Sequence, residues 1–308
     1  MTLQVLVLGS AAGGGFPQWN CGCKNCVCVR AEEPGWHART QDSLAVSLDG
    51  KGWWLLNASP DVLHQVQRNR ELWPMGLRHS PIKGVVLTNG DLDHVLGLLQ
   101  LRESQPLTIY ATQRVIDGLR TNSALRTLER SPDHVAWRSL RLGQPSELTA
   151  SDAIPSGISV LPFAVPGKPP LHLMSAFEPS REDNIGLRLY ASGAPASSAA
   201  VYASAVASLA EPVPELDECA ALFLDGTFWS EDELPGQGIG TAPARAMAHL
   251  PIGGAHGSLQ ALARLDVARR VYTHINNTNP ILDPGSAERA AVEAGGWLVA
   301  RDGLKLSV

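Results

Sequence analysis

The run Lys83-Gly-Val-Val-Leu-Thr-Asn-Gly-Asp-Leu-Asp-His94, continuing Val-Leu-Gly-Leu-Leu-Gln-Leu-Arg102, constrains the fold of this chain more than any other. Val85 to Thr88 is apolar and β-branched, and Gly90 interrupts it, so the pattern predicts a buried strand ending at Asn89. Leu92, Val95, Leu96, Leu99 and Leu101 then recur at helical spacing, which starts a helix near Asp93. Between strand and helix fall Asp91, Asp93 and His94. Open α/β folds place ligands at the C-terminal ends of strands, and the N–H groups of a helix start favour anions there. One Asp alone in such a turn reads as a helix cap. An Asp-His pair gives the turn metal-binding chemistry.

With 308 residues, 44% of them hydrophobic, the chain can bury a large core as one big domain or two small ones. A net charge of −5 argues against a nucleic-acid partner, which would select a basic stripe. No apolar run approaches the ~20 residues that span a bilayer. The start Met-Thr-Leu-Gln-Val-Leu-Val-Leu-Gly9 lacks the basic region of a signal peptide, so the expectation is a soluble, cytoplasmic protein with no membrane partner. Four of the five cysteines crowd between Cys21 and Cys28, which fits a metal knot or free thiols better than a disulfide framework. Cys21, Cys23 and Cys26, spaced Cys-x-Cys-x-x-Cys, can converge three thiolates on one tetrahedral, structural Zn²⁺. The fourth ligand stays open between Cys28 and a distant His or Asn from the C-terminal part.

Along the chain, Leu3–Leu8 reads as a strand, and Gly9 to Gly15 as a loop without the Gly-x-Gly-x-x-Gly of a dinucleotide fold. Leu44–Leu48 and Trp53–Leu56 form a hairpin about Asp49-Gly50, and Asp61 is a turn residue before a helix. Leu107–Ala111 is a strand, with helical segments to Arg130. Residues 131–157 and 166–184, rich in Pro, Ser and Gly, are predicted loops, the second holding His172. Cys219-Ala-Ala-Leu-Phe-Leu-Asp-Gly-Thr227 is an apolar strand that delivers Asp225 at its end, which repeats the geometry of the first turn. Two strand-end carboxylates suit a site between similar halves. Ala242–His249 reads as a helix carrying Arg245 and His249, and 258–265 as another. Val271–His274 is a strand ending in an imidazole, and Trp297–Ala300 with Leu304–Leu306 a terminal hairpin. The alternation is that of layered α/β architecture.

The six places Asn89-Gly-Asp91-Leu-Asp93-His94 resemble the His-x-His-x-Asp-His metal turn of the metallo-β-lactamase superfamily, with both leading histidines replaced. A hydrolytic dizinc site uses those histidines for one of its metals, so the departure suits a single or harder metal. Asp225-Gly226 resembles the superfamily's bridging-Asp turn, and His274 its C-terminal metal histidine. Taken together, five motifs resemble the coenzyme PQQ (pyrroloquinoline quinone) synthesis protein B family: Gly9 through the Cys-x-Cys-x-x-Cys26 knot, Asn57-Ala-Ser-Pro-Asp61, Asp93-His-x-x-Gly-Leu-Leu-x-Leu-Arg102, Asp225-Gly-Thr227, and His274-Ile-Asn-Asn-Thr-Asn-Pro-Ile-Leu282. The match runs from the first strand to the C-terminal helix and is poor over about 130–200.

The resemblance implies a four-layer αββα metallo-β-lactamase-like sandwich, one domain over 1–308 with its zinc knot at 21–28. It implies work in making PQQ from a Glu–Tyr-derived precursor, as an iron-dependent hydroxylase of the tyrosine ring. Two alternatives stand beside it: a non-catalytic carrier of PQQ or its precursor, and a metal-dependent hydrolase. Asp93, His94, Asp225 and His274 would hold the active-site metal, a mixed N/O set that suits Fe(II), with Zn²⁺ able to take its place. His249 would carry protons, and Asp91 would bond or replace a ligand. Arg39 and Arg245 would hold substrate carboxylates. The implied partners are O₂ and a small peptide-derived or diamino-acid precursor, with a homodimer as a candidate assembly.

Overall fold

A computed structural model describes residues 2–103, 105–130, 134–174 and 178–308. The first six strands are β1 (Gln4–Gly9), β2 (Ser43–Ser47), β3 (Trp53–Leu56), β4 (Ile82–Val86), β5 (Leu107–Thr112) and β6 (Val135–Leu140). They lie side by side in chain order, antiparallel from β1 to β3 and parallel from β3 to β6. The next seven are β7 (Ser146–Thr149), β8 (Pro155–Ala164), β9 (Ile185–Ala191), β10 (Ala200–Ala203), β11 (Cys219–Asp225), β12 (Val267–Thr273) and β13 (Trp297–Val299). They form the second sheet, antiparallel from β7 to β10 and parallel from β10 to β13. β14 (Lys305–Ser307) returns to the first sheet, antiparallel to β1.

Strand alternation makes this a sandwich. Val5, Val7, Leu44, Val46, Trp54 and Leu56 point from the first sheet onto Leu187, Leu189, Tyr202, Phe223 and Val271 of the second. Their neighbours Leu6, Leu8, Trp53, Leu55, Val85 and Leu87 face the opposite way, against Val62 of the helix Val62–Arg68 and Val115, Ile116 and Leu119 of the helix Gln113–Arg120. On the far side, Val201, Leu222, Leu224 and Tyr272 are covered by Ile252, Leu262 and Val292. Helices thus flank two apposed sheets, the αββα order expected from the sequence.

The structure corrects several local expectations. Residues 135–140 and 146–149 are strands where a loop was predicted, because β6 and β7 sit at sheet edges and carry too few apolar residues to announce burial. Residues 131–133 and 175–177, parts of the two predicted loops, lie outside the described residues. The terminal hairpin does not form: β13 pairs in parallel with β12, and β14 crosses to β1 in the other sheet. Ala242–His249 is not a continuous helix. Only Arg245–Met247 makes a 3₁₀ turn, and Ala248, at φ 68°, ends it in the left-handed region before His249.

The helix Leu92–Val95 follows β4 after a five-residue turn and runs into the 3₁₀ segment Leu96–Leu101. It is fastened to the loop after β3 by Ala58 N–H donating to His94 O (2.7 Å) and Gly97 N–H donating to Ala58 O (2.9 Å). A Cβ on Gly97 would lie 2.1 Å from Ser59 O and 2.7 Å from Ala58 O, both rigid backbone atoms. Gly97→Ala is therefore expected to cost about 1–3 kcal/mol of stability, read as a lowered urea midpoint with unchanged slope.

Candidate metal centres

The turns after β4, β11 and β12 open at the same end of the sandwich. Asp93 and His94 come from the first sheet's turn, Asp225 ends β11, and His274 immediately follows β12. The structure brings them together. The imidazole centroids of His94 and His274 lie 5.3 Å apart, and His249 stacks on His274 at 5.3 Å. Asp93, His94 and His274 have ligand atoms all within 4.8 Å of one another, and so do Asp225, His249 and His274. The second group shares His274 with the first.

Each imidazole is oriented from behind. His94 Nδ1 lies 2.8 Å from Asn89 Oδ1, an acceptor, so the proton sits on Nδ1 and Nε2 carries the lone pair. That Nε2 is buried with no hydrogen-bond partner among the described residues. His274 Nδ1 donates to Thr227 Oγ1 (2.9 Å), which in turn donates to Asp225 Oδ1 (2.6 Å). His249 Nδ1 donates to Asp225 Oδ2 (2.7 Å). Asp225 also accepts the backbone N–H of Val206 (2.8 Å) and of Thr227 (3.0 Å). Burial opposes the charge on Asp225, but His249 and His274 outweigh it and hold the carboxyl below its usual range.

An orphaned, buried imidazole nitrogen facing a carboxylate and a second imidazole is what a divalent cation would satisfy. The protein's own substitute for that charge is a proton. Burial works against it, yet Asp93, whose Oδ2 lies 3.2 Å from His274 Nε2, brings His274 up to about 9. Burial drives His94 down to about 4 despite Asp93, so it stays a neutral ligand. The residues present therefore fit a metal held by two imidazoles and a carboxylate.

A cavity of about 480 Å³ opens onto this group. Ala12, Leu92, Phe228 and Met247 give it apolar walls, while Asp91, Lys168, His172 and Asn276 are polar points around them. Burial, then the neighbouring Asp93, raises the Asp91 carboxyl to about 6. His172, read from sequence as a loop residue, sits on the 3₁₀ turn Leu171–Leu173 in the cavity wall. Lys168 and Thr227 were assigned no role from sequence. Asn89, noted only as a missing histidine, orients His94.

Neither arginine is placed to hold a substrate there. Arg39 is buried, donating from Nε to Ala300 O (3.2 Å) and from Nη1 to His37 O (2.9 Å), so it fastens backbone. Arg245 points outward to Glu231 at 2.5 Å.

The cysteines form a second centre. Cys21, Cys23 and Cys26 have sulfurs within 4.8 Å of one another, while Cys28, on the same short helix, is outside the group. The side-chain amide of Asn277 faces all three sulfurs, with Nδ2 at 3.1, 3.6 and 3.4 Å. A half-turn of that amide about Cβ–Cγ presents Oδ1 instead, an oxygen donor that would complete four. Burial pushes the Cys23 thiol up to about 11, so a cation would be needed to hold it as thiolate at neutral pH.

The fold and the paired turns define a β-lactamase-superfamily protein, and the Beta-lactamase superfamily domain profile matches residues 52–275. Along its whole length the chain is 44% identical to Coenzyme PQQ synthesis protein B of Methylobacterium radiotolerans, covering 99% of this chain and 100% of that one. It is 45% identical to the protein of the same name from Rhizobium meliloti, over 99% and 97%. The crystal structure of Zn²⁺-bound PqqB from Methylobacterium extorquens superposes with a TM-score of 0.90 at 42% identity, over 99% and 100%. The chain belongs to the coenzyme PQQ synthesis protein B family. A diphosphatase of the PhnP family, 21% identical with a TM-score of 0.65 over 99% and 97%, shares the fold.

Because metal must displace the proton on His274, uptake at this group is expected to release a proton at any pH below about 9. Apparent affinity should rise up to about tenfold per pH unit towards pH 9 and flatten above it. Titration calorimetry in buffers of different ionisation enthalpy reads both effects. Asn89→Ala, which frees the ring of His94, is expected to weaken metal binding by about 10–100-fold in the same assay.

Proposed function

We propose that this chain works in the synthesis of PQQ, as an iron-dependent hydroxylase of the tyrosine ring of a Glu–Tyr-derived precursor. The observation that carries the reading is the Asp93, His94 and His274 group, with His94 Nε2 buried and without a partner. Two imidazoles and one carboxylate on one face are the donor set that suits non-haem Fe(II), which when bound supplies the activation of O₂. Asn89 stands in the first histidine place and is committed to orienting His94, which favours a single metal over a hydrolytic pair.

The protein's own residues do the rest. Asn89 and Thr227 fix the rings of His94 and His274 so that Nε2 of each faces the cavity. The apolar walls from Leu92, Phe228 and Met247 seat an aromatic ring and exclude bulk water. His249, aimed by Asp225, presents Nε2 to the same space and can hold or pass a proton there. Lys168 takes the part first expected of Arg39 and Arg245. Its segment is pinned by Ala207 N–H donating to Pro166 O (2.8 Å), and Pro169 and Pro170 are buried behind it. Its Nζ spends one donor on Ala246 O (3.2 Å) across the cavity mouth, so a substrate carboxylate can be met by the others.

Anaerobic reconstitution with Fe²⁺, followed by the precursor and ¹⁸O₂, is expected to give a ring-hydroxylated product carrying the label, lost in His94→Ala and His274→Ala. Tight binding of unaltered precursor would point to the carrier, and chain cleavage to the hydrolase. Lys168→Ala should raise KM by about 10–100-fold, the loss of a hydrogen bond to a charged group, with a smaller change in kcat.

A further inference from the structure

The two metal-capable groups are joined by one short stretch of chain, His274-Ile-Asn-Asn-Thr-Asn279, and its hydrogen bonds leave little freedom between them. His274 itself sits at φ 54°, in the left-handed region that a β-carbon disfavours, so something must hold it there. Ile275 is fixed at both ends of its peptide, its N–H donating to Ser10 O and its carbonyl accepting from Ala12, each at 2.9 Å. Asn276 N–H donates to Thr227 O (3.1 Å), and its side chain reaches the cavity wall. The next residue, Asn277, turns its amide onto the three cysteine sulfurs, and its own carbonyl accepts from Asn25 Nδ2 (3.0 Å), on the helix Lys24–Arg30. Asn25 also donates to Asn279 O (2.9 Å). Asn279 closes the circuit, its side-chain amide donating to Gly226 O (2.9 Å) and Thr227 O (3.2 Å), next to Asp225.

We infer that Asn277 is a positioning residue for the histidine centre, and that a divalent ion gripped by Cys21, Cys23, Cys26 and Asn277 raises the affinity of the Asp93, His94 and His274 group. With an ion in the knot, the Asn277 side chain is anchored and the strap is held at its middle. Without one, the Asn277 side chain rests on weak contacts to cysteine sulfur, and the strap's middle keeps its backbone bonds from Asn25. His274 is then freer to leave its disfavoured backbone conformation and withdraw its ring from His94. The coupling is reciprocal by thermodynamic necessity: metal at the histidine group tightens the knot by the same factor. The inference shares with the proposed function a divalent ion at the histidine group, adds one at the cysteine knot, and is independent of the hydroxylation.

Co²⁺ separates the two centres spectroscopically. Thiolate-to-cobalt absorption in the near ultraviolet reads the knot, and paramagnetically shifted imidazole N–H proton signals read the histidine group. In the full-length protein the expected result is ordered filling, with histidine-group affinity at least about tenfold higher once the knot is loaded. Asn277→Ala should remove that gain, and Asn277→Asp, which keeps an oxygen donor, should restore it. His94→Ala, working from the other side, should weaken the knot's affinity by the matching factor, so the inference stays testable if the Asn277 variant is poorly folded. Equal histidine-group affinity with the knot empty and full would overturn the coupling alone. Failure of Co²⁺ to bind either group would overturn the metal reading on which it rests.

Discussion

Enclosed carboxylates need positive partners, and the open end of the sandwich is arranged around that need. Asp42 and Asp225 are almost wholly inaccessible there, with Asp91 and Asp93 beside the cavity. Taking an ion out of water is costly unless charge or hydrogen bonds replace the lost hydration. Asp225 is satisfied by four donors. Asp42 accepts from Tyr202 OH (2.5 Å) and from the hydroxyl of Thr273, and burial still raises it to about 6. Asp93 instead relies on imidazoles, and that dependence turns His94 and His274 towards each other. The geometry of the candidate metal centre and the compensation of buried charge are here the same set of contacts. His94 Nε2 is left without a partner among the described residues, while His274 Nε2 meets Asp93.

How much of this could be read from sequence depends on whether the cause is local. The strand-to-turn junctions at Asn89–His94 and Asp225–Thr227 were legible because an apolar run, a glycine and a carboxylate lie within a few residues of one another. The cysteine knot was legible from spacing alone. β6 was not, since three of its six side chains are half-buried and two are exposed, as an edge position permits. The pairing of β13 and β14 was misread because sequence proximity suggested a hairpin, whereas each strand's partner is remote. Arg39 looked like an anion binder. Its guanidinium is spent on main-chain carbonyls that no sequence pattern reveals. Asn277 was covered only by the expectation of a distant His or Asn as fourth ligand, because its approach to the sulfurs depends on the docking of the turn after β12 beside the cysteines.

His274 belongs to both candidate triads, and this sharing limits what the site can do. Its single Nε2 cannot serve two cations with equal geometry, and the replacement of both leading histidines removes the donors a second ion would recruit. The wall that would otherwise carry that ion is left to Asp91, His172 and Lys168, groups suited to meeting an organic molecule. Asn89 and Asp91, both shorter than a histidine, thus leave room beside the candidate metal group.

The last strand has a consequence for how the chain is made. β14 covers the outer edge of β1, and Asp302, just before it, accepts from Ser10 Oγ (3.0 Å) and from Thr40 N–H (2.8 Å). Those residues are made long after the β1 edge that they close. Until β14 is made, the sheet begun by β1 to β6 carries an unprotected β-edge, open to mispairing with neighbouring nascent chains. Closure of the first sheet thus waits on the second, because the strand that seals β1 emerges only after β7 to β13 have been made.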